Sequence, residues 1–312
     1  MTTVLNVTEL HKKYGQLCAV DRVSFKLQKG QCLAILGPNG AGKTTTIEML
    51  EGLTEPSAGQ VDLLGMDLLK ERTSCLEKMG VLLQETYLYK RYTVKETLEL
   101  FASFYKNPLS PDSIIELMNL KDKADTQLRH LSGGQKQRVY IGSSLINNPE
   151  VIFLDEPTTG LDPKSRRSIW DLIEKLKAQG KSILLTTHYM DEAETLADQV
   201  AIMDKGRIIC EGTPKDLIKK IAGEKVIYFD CSHESIQDPH ELKDHINSKL
   251  GNADIHVDKS GFYLETKDPL QTFRTLNEDL PKWGCHLKEL SMRGSTLEDV
   301  FLKLTGRSIS DE

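Results

Sequence analysis

The chain has 312 residues, 39% of them hydrophobic and 28% charged, an ordinary composition for a globular protein of about two domains. No apolar run approaches the 18 or so residues that span a bilayer, and residues 1–5 lack a basic segment followed by a long apolar core, so neither a spanning helix nor a secretory leader is expected. Six cysteines (Cys18, Cys32, Cys75, Cys210, Cys231 and Cys285) scattered without C-x-x-C spacing suggest neither zinc nor a disulfide framework and point to a reducing cytosol; the acidic excess behind the net charge of −6 sits in the last third and argues against a nucleic-acid-binding tail there.

In chain order, residues 4–10 and 21–27 alternate apolar and polar side chains, as half-buried strands do. Tyr14 lies in the turn between them, either as a packing residue at a strand end or as an aromatic face for a purine ring. Residues 31–36 form a short apolar run of strand length, and residues 45–53 carry Ile47, Met49 and Leu50 at helical intervals. Between them stands Gly37-Pro38-Asn39-Gly40-Ala41-Gly42-Lys43-Thr44-Thr45, which fits G-x-x-x-x-G-K-[ST]. Its glycines permit positive φ and close backbone approach, so successive N–H groups can face phosphate oxygens. Lys43 suits the β- and γ-phosphates, Thr44 suits Mg²⁺, and the helix that follows turns its positive end to the same place. A nucleotide site follows from the loop together with both flanks.

Residues 59–65 read as a strand and turn, and residues 80–85 as an apolar run that reaches Gln84, a surface residue or an amide beside the phosphates. From 93 to about 147 the period is helical: Val94, Leu98, Phe101 and Tyr105 share one face, Ile114, Leu117 and Met118 another, with Pro108 and Pro111 between. This predicts a helical insertion in an α/β core. Leu131-Ser132-Gly133-Gly134-Gln135 then presents a good N-cap and glycines at a helix start, a second anion-binding geometry.

The apolar run Val151-Ile152-Phe153-Leu154 ends in Asp155 and Glu156. A buried strand delivering two acids to the carboxyl edge of a parallel sheet suits Asp155 to Mg²⁺ and Glu156 to the attacking water. Residues 158–163 form a turn, residues 165–177 an amphipathic helix, and residues 182–187 a second buried strand that ends at His188, placed to donate to the γ-phosphate or the water. A helix at 191–197 and strands at 200–204 and 207–211 complete this core.

The ordered set resembles the ATP-binding subunit of an ABC transporter from about residue 4 to 221, a P-loop NTPase core of the ABC ATPase type with a helical subdomain at about 87–147. The resemblance implies that Tyr14 is the aromatic of the A-loop, 37–45 the Walker A loop and Gln84 the Q-loop residue, with Thr44, Gln84 and Asp155 around Mg²⁺. It further implies that 131–135 is the signature, 151–156 Walker B with Glu156 catalytic, 160–162 the D-loop and His188 the switch histidine. In this family two copies pair head to tail, so Ser132, Gly133, Gly134 and Gln135 are expected to cover ATP held by the partner's Lys43. An integral membrane permease, a homodimer of ATPase subunits and a cytoplasmic position on the inner face of the cell membrane follow from the same resemblance. Residues 186–194 and 294–307 are similar to the drug- and antibiotic-exporter branch typified by daunorubicin-resistance ATPases. The alternative, a soluble ABC-type ATPase acting on ribosomes or DNA, normally brings paired ATPase units, long coiled-coil arms or basic surfaces, and none is visible.

Residues 224–312 hold 11 Lys and Arg against 17 Asp and Glu, which places the whole net charge of −6 there and leaves residues 1–223 neutral. The segment reads as strand (225–230), helix (239–250), hairpin (253–258 and 262–267), helix (269–280) and strand (285–292), a βαββαβ order of ferredoxin-like, α+β type, with a last helix at 296–304. Domains at 1–223 and 224–312 are expected. The second shows no phosphate loop, metal spacing or nucleophile, and a structural or dimer-stabilising module is the reading adopted over a sensor.

Overall fold

Strands Cys32–Leu36, Val151–Asp155 and Ser182–Thr187 are buried at every position, as the near-continuous apolar runs require of strands covered on both faces. They lie together in a six-stranded sheet ordered Arg207–Gly212, Gln199–Asp204, Cys32–Leu36, Ser182–Thr187, Val151–Asp155, Met79–Leu82. The pairings from Gln199–Asp204 across to Met79–Leu82 are parallel. Leu36 stands opposite Thr187, and Asp155 opposite Thr186. Three neighbouring strands therefore finish level, and whatever follows each of them is delivered to one place.

This computed structural model describes residues 2–83, 88–223, 225–233, 235–250, 254–257, 261–266 and 268–306. A second, antiparallel sheet, ordered Leu17–Gln28, Thr3–Tyr14, Ala58–Leu63, Met66–Asp67, shares a core with the helix Lys43–Leu50: Leu5, Leu10, Phe25, Ile47 and Phe153 belong to one buried cluster. That helix starts at Lys43, the residue the loop was expected to deliver, and ends at Leu50. The helical insertion contains Val94–Ala102, Pro111–Leu117 and Gly133–Ser144. Each start is fixed locally. Thr93 and Glu96 form a reciprocal capping box, Ser110 accepts from Ser113 N with Pro111 in the first turn, and Ser132 and Gln135 form a second box.

The acidic last third is the βαββαβ unit expected, an antiparallel sheet ordered Asp254–Val257, Phe262–Glu265, Lys225–His233, Cys285–Gly294 with helices Pro239–Leu250 and Pro269–Asp279. Its own core contains Phe229, Ile246, Leu264, Leu276 and Leu280, and Phe229 stacks on Phe262 with ring centroids 5.1 Å apart. The two compact units of the chain are Met1–Glu211 and Gly212–Glu312, so the division falls at 212 and not at the expected 224. The cause is packing: Pro214–Leu217 and the turn Ile218–Ala222 lie against the helix Leu297–Thr305, and Ser295 Oγ donates to Ala222 O at 3.4 Å. Among the described residues, no helix is long and apolar enough to cross a membrane.

Candidate functional site

The three level strand ends carry the predicted residues. After Leu36 the loop turns through Gly40 (φ 77°) and Gly42 (φ 101°), which caps the helix beginning at Lys43. A side chain at Gly42 would place its Cβ 2.5 Å from Ala19 O, so the position admits only glycine. Lys43 is 4% exposed, and its Nζ donates to the loop carbonyls of Gly37 (2.8 Å) and Pro38 (3.0 Å). The same Nζ stands 3.4 Å from Glu156 Oε1.

Glu156 follows the strand Val151–Asp155 in a left-handed conformation, φ 48°, that turns its carboxylate across to the neighbouring strand ends. Its backbone N–H donates to Thr186 Oγ1 at 3.0 Å, Thr159 Oγ1 donates to Oε2 at 3.0 Å, and His188 Nδ1 lies 3.1 Å from the same oxygen. Burial alone pushes this carboxyl up. The His188 imidazole, the Lys43 ammonium and the Thr159 hydroxyl together outweigh burial and hold it at about 2. Asp155 behaves in the opposite way: burial and the adjacent Glu156 raise it, against the Thr186 and Thr44 hydroxyls and Lys43. Asp155 and Thr44 are thus brought together as predicted. Gln84 lies outside the described residues.

A cavity of about 630 Å³ opens beside this cluster, and Asn39, Gly40, Lys43, Thr44 and Glu156 line it together with Tyr14 and Leu17. Tyr14 is 48% exposed, a solvent-facing ring and not the buried strand-end packing residue that its sequence position also allowed. The donor set fits a triphosphate with a cation: backbone N–H groups held open by glycines, one buried ammonium, and a hydroxyl with a carboxylate. Residues Ser132 to Gln135 do not line this cavity. Ser132 and Gly133 are exposed, Ser132 Oγ accepts from Gln135 N at 3.3 Å, and Gln135 Oε1 accepts from Ser132 N at 2.9 Å.

One functional-looking residue was not singled out by the sequence reading. Glu192, fully buried, accepts from Thr158 Oγ1 (2.8 Å) and Trp170 Nε1 (3.0 Å) through one oxygen, and burial raises its pKa. It sits one helical turn beyond His188 and ties that segment to the turn after Glu156. An i, i+4 relation to the histidine was its only signal in the sequence. Arg166 stacks over the Tyr189 ring at 4.0 Å and braces the same segment.

Glu51 is a different case. It is 2% exposed, neither carboxylate oxygen finds a hydrogen-bond partner among the described residues, and burial, with the charges of Asp155 and Glu48, pushes it up from 4.5 to about 8. Between those two values the folded state holds the extra proton, so stability contributed by this group falls as pH rises through that window. Glu51→Gln is expected to match the wild type near pH 5 and to exceed it by on the order of a few kcal/mol at pH 9 in urea unfolding. A constant difference across that range would show that Glu51 is ionised in the native state.

Comparison with known proteins agrees with this geometry. The family model described as ABC transporter matches residues 20–159. The Nod factor export ATP-binding protein I of Ralstonia nicotianae (strain ATCC BAA-1114 / GMI1000) is 38% identical over 317 residues, covering 99% of this chain and 96% of that protein. The protein of the same name from Rhizobium etli (strain ATCC 51251 / DSM 11541 / JCM 21823 / NBRC 15573 / CFN 42) is 36% identical, covering 98% and 95%. Among solved structures, an ATP-binding subunit of an ABC transporter aligns with TM-score 0.63 and 30% identity over 70% of this chain and 94% of that one. A dimeric post-hydrolysis state of an ATP-binding cassette bound to ADP and Pi aligns with TM-score 0.61 and 28% identity over 67% and 98%.

Proposed function

Because the chain belongs to the ABC transporter family as its ATP-binding, ATP-hydrolysing subunit, we propose that it drives export of a drug, antibiotic or other amphipathic compound through a separately encoded membrane permease. The observation that carries this reading is the near end-to-end similarity to proteins named for Nod factor export, which extends through the last third as well as the ATPase core. That name supports the exporter direction; the drug-exporter branch rests on residues 186–194 and 294–307.

Within the site, Tyr14 would offer its exposed face to the adenine, the 37–45 loop and Lys43 would hold the phosphates, and Thr44 and Asp155, with Gln84 as the family resemblance implies, would hold Mg²⁺. An Mg²⁺ ion held there would supply charge neutralisation to the phosphates. Glu156 orients and polarises the water, and His188 stabilises charge developing on the γ-phosphate. Lys43, now spread over two carbonyls and Glu156, is the cation that can turn to the phosphates, leaving Glu156 a stronger acceptor.

Two copies pair head to tail on the inner face of the membrane. Exposed aromatic side chains on the helical insertion support a docking face for the permease: Tyr89, Tyr92, Phe104 and Tyr105 all reach solvent. The test is affinity recovery of the full chain from solubilised membranes, followed by reconstitution with the integral membrane protein it brings down. ATP-dependent efflux from those vesicles is expected. Recovery with ribosomes or DNA, and with no membrane protein, would overturn the reading.

A further inference from the structure

We propose that His11, Cys18 and Asp21 form a binding site for a borderline-soft divalent cation of the zinc class, placed on the strand pair that carries Tyr14 and separate from the chemistry at Lys43. Among the described residues this is the one group of three potential metal-ligating side chains whose donor atoms all lie within 4.8 Å of one another. His11 Nδ1 is 3.5 Å from Asp21 Oδ1 and 3.9 Å from Cys18 Sγ. A tetrahedral zinc ion with its usual bond lengths holds nitrogen and oxygen ligands about 3.4 Å apart and nitrogen and sulfur ligands about 3.6 Å apart. The two separations from His11 thus lie within a few tenths of an ångström of those values, the Cys18 and Asp21 donor atoms lie within 4.8 Å of each other, and small side-chain rotations would close the set around an ion with a fourth position left for water.

The strands explain why these three residues meet. His11 belongs to Thr3–Tyr14, and Cys18 and Asp21 to Leu17–Gln28, its antiparallel neighbour. The register slips between Leu10↔Val23 and Lys12↔Val20, and Arg22 takes up the extra residue at φ 52°. That bulge re-aims the side chains around it. All three donors are partly buried and line a cavity of about 610 Å³ with Glu9, Lys13 and Arg22.

The surroundings suit a ligating carboxylate. Arg207 donates through Nε to the other oxygen, Asp21 Oδ2, at 2.8 Å, so Oδ1 is left facing His11; a hydrogen-bonded outer partner of this kind orients a metal-bound carboxylate. Arg207 also holds the Asp21 carboxyl below its ordinary value. Arg22 Nε, 3.5 Å from Oδ1, opposes a cation there, but its side chain is 71% exposed and can turn to solvent. Cys18 Sγ donates to Val20 O at 3.6 Å; on binding, the thiol proton passes to solvent and the thiolate becomes the sulfur ligand. Cys18 also lines the Lys43 cavity, so an ion here would tie the two strands together beside the Tyr14 platform.

The test uses the full chain, stripped with chelator and free of nucleotide, with zinc or cobalt as the only added metal. One zinc per chain by equilibrium dialysis is expected, with a rise of several degrees in Tm on saturation and, with cobalt, a thiolate-to-cobalt charge-transfer band. Cys18→Ser should erase the band, and His11→Ala should weaken binding by about tenfold or more. His11→Gln and Asp21→Asn give milder removals should the alanine variant fail to fold, and each is expected to abolish the zinc-dependent rise in Tm. No stoichiometric uptake, or uptake and a band unchanged in Cys18→Ser and His11→Gln, would overturn the site.

Discussion

Glu156→Gln is expected to bind ATP as the wild type does, to lose turnover by about 10²–10⁴-fold, and to accumulate as an ATP-bound dimer on size exclusion. The substitution keeps the side chain's shape while removing the negative charge that Lys43 and His188 both approach, at 3.4 and 3.1 Å. In the proposed site nucleotide contacts come from the loop and Lys43, which the change leaves in place, so binding and hydrolysis should separate. The pH dependence follows with its sign. Held at about 2, Glu156 is ionised throughout the range in which the protein can be assayed without nucleotide, so any loss of nucleotide-free stability due to this group occurs only as pH falls towards that value. An acidic limb of the rate profile above pH 4 therefore belongs to another group or to a Glu156 whose pKa has risen once Lys43 engages phosphate. Single-turnover hydrolysis at the wild-type rate in Glu156→Gln would remove Glu156 from the mechanism.

Much of this site was legible in the sequence because its chemistry is written in local patterns. Gly40 and Gly42 must be glycines to turn the loop, and apolar runs at 32–36, 151–154 and 182–185 must be buried strands, so Lys43, Glu156 and His188 were expected at one sheet edge and are found there. What could not be read is where polar side chains in helices point. Glu192 belongs to a run of acids beyond His188 and looks like a solvated face; tertiary packing under Trp170 and Thr158 makes it buried. The same holds for Glu51, which its sequence neighbours present as an ordinary helix end. The division at 212 also escaped, since the segment 214–222 continues the first unit's pattern in sequence while its apolar side packs on a helix some 75 residues later, at Leu297–Thr305. Such a pairing leaves no local mark.

Ser132→Arg should leave ATP affinity at Lys43 within about twofold of the wild type while lowering steady-state hydrolysis by 100-fold or more, a loss of about 2.7 kcal/mol in transition-state stabilisation. The argument rests on where the signature segment lies. Its start is exposed at Ser132 and Gly133, and it does not line the cavity that holds Lys43. On the proposed head-to-tail pairing, a chain with one phosphate loop and a second candidate anion-binding helix start is completed by another copy, which covers the first with the second. Gly134 leaves no slack on the inner side, because a Cβ there would meet Ser165 Oγ at 2.5 Å, so a bulky residue at 132 cannot be absorbed by sinking the segment. In the proposed dimer it would project into the space that the partner's nucleotide needs. Loss of the Ser132 cap costs about 1 kcal/mol of helix stability by itself, and Ser132→Ala separates that effect from the block. Introduced into Glu156→Gln, Ser132→Arg should prevent the ATP-bound dimer from forming. A double variant that still dimerises on ATP, or a single variant that hydrolyses ATP cooperatively at the wild-type rate, would mean that each chain completes its own site.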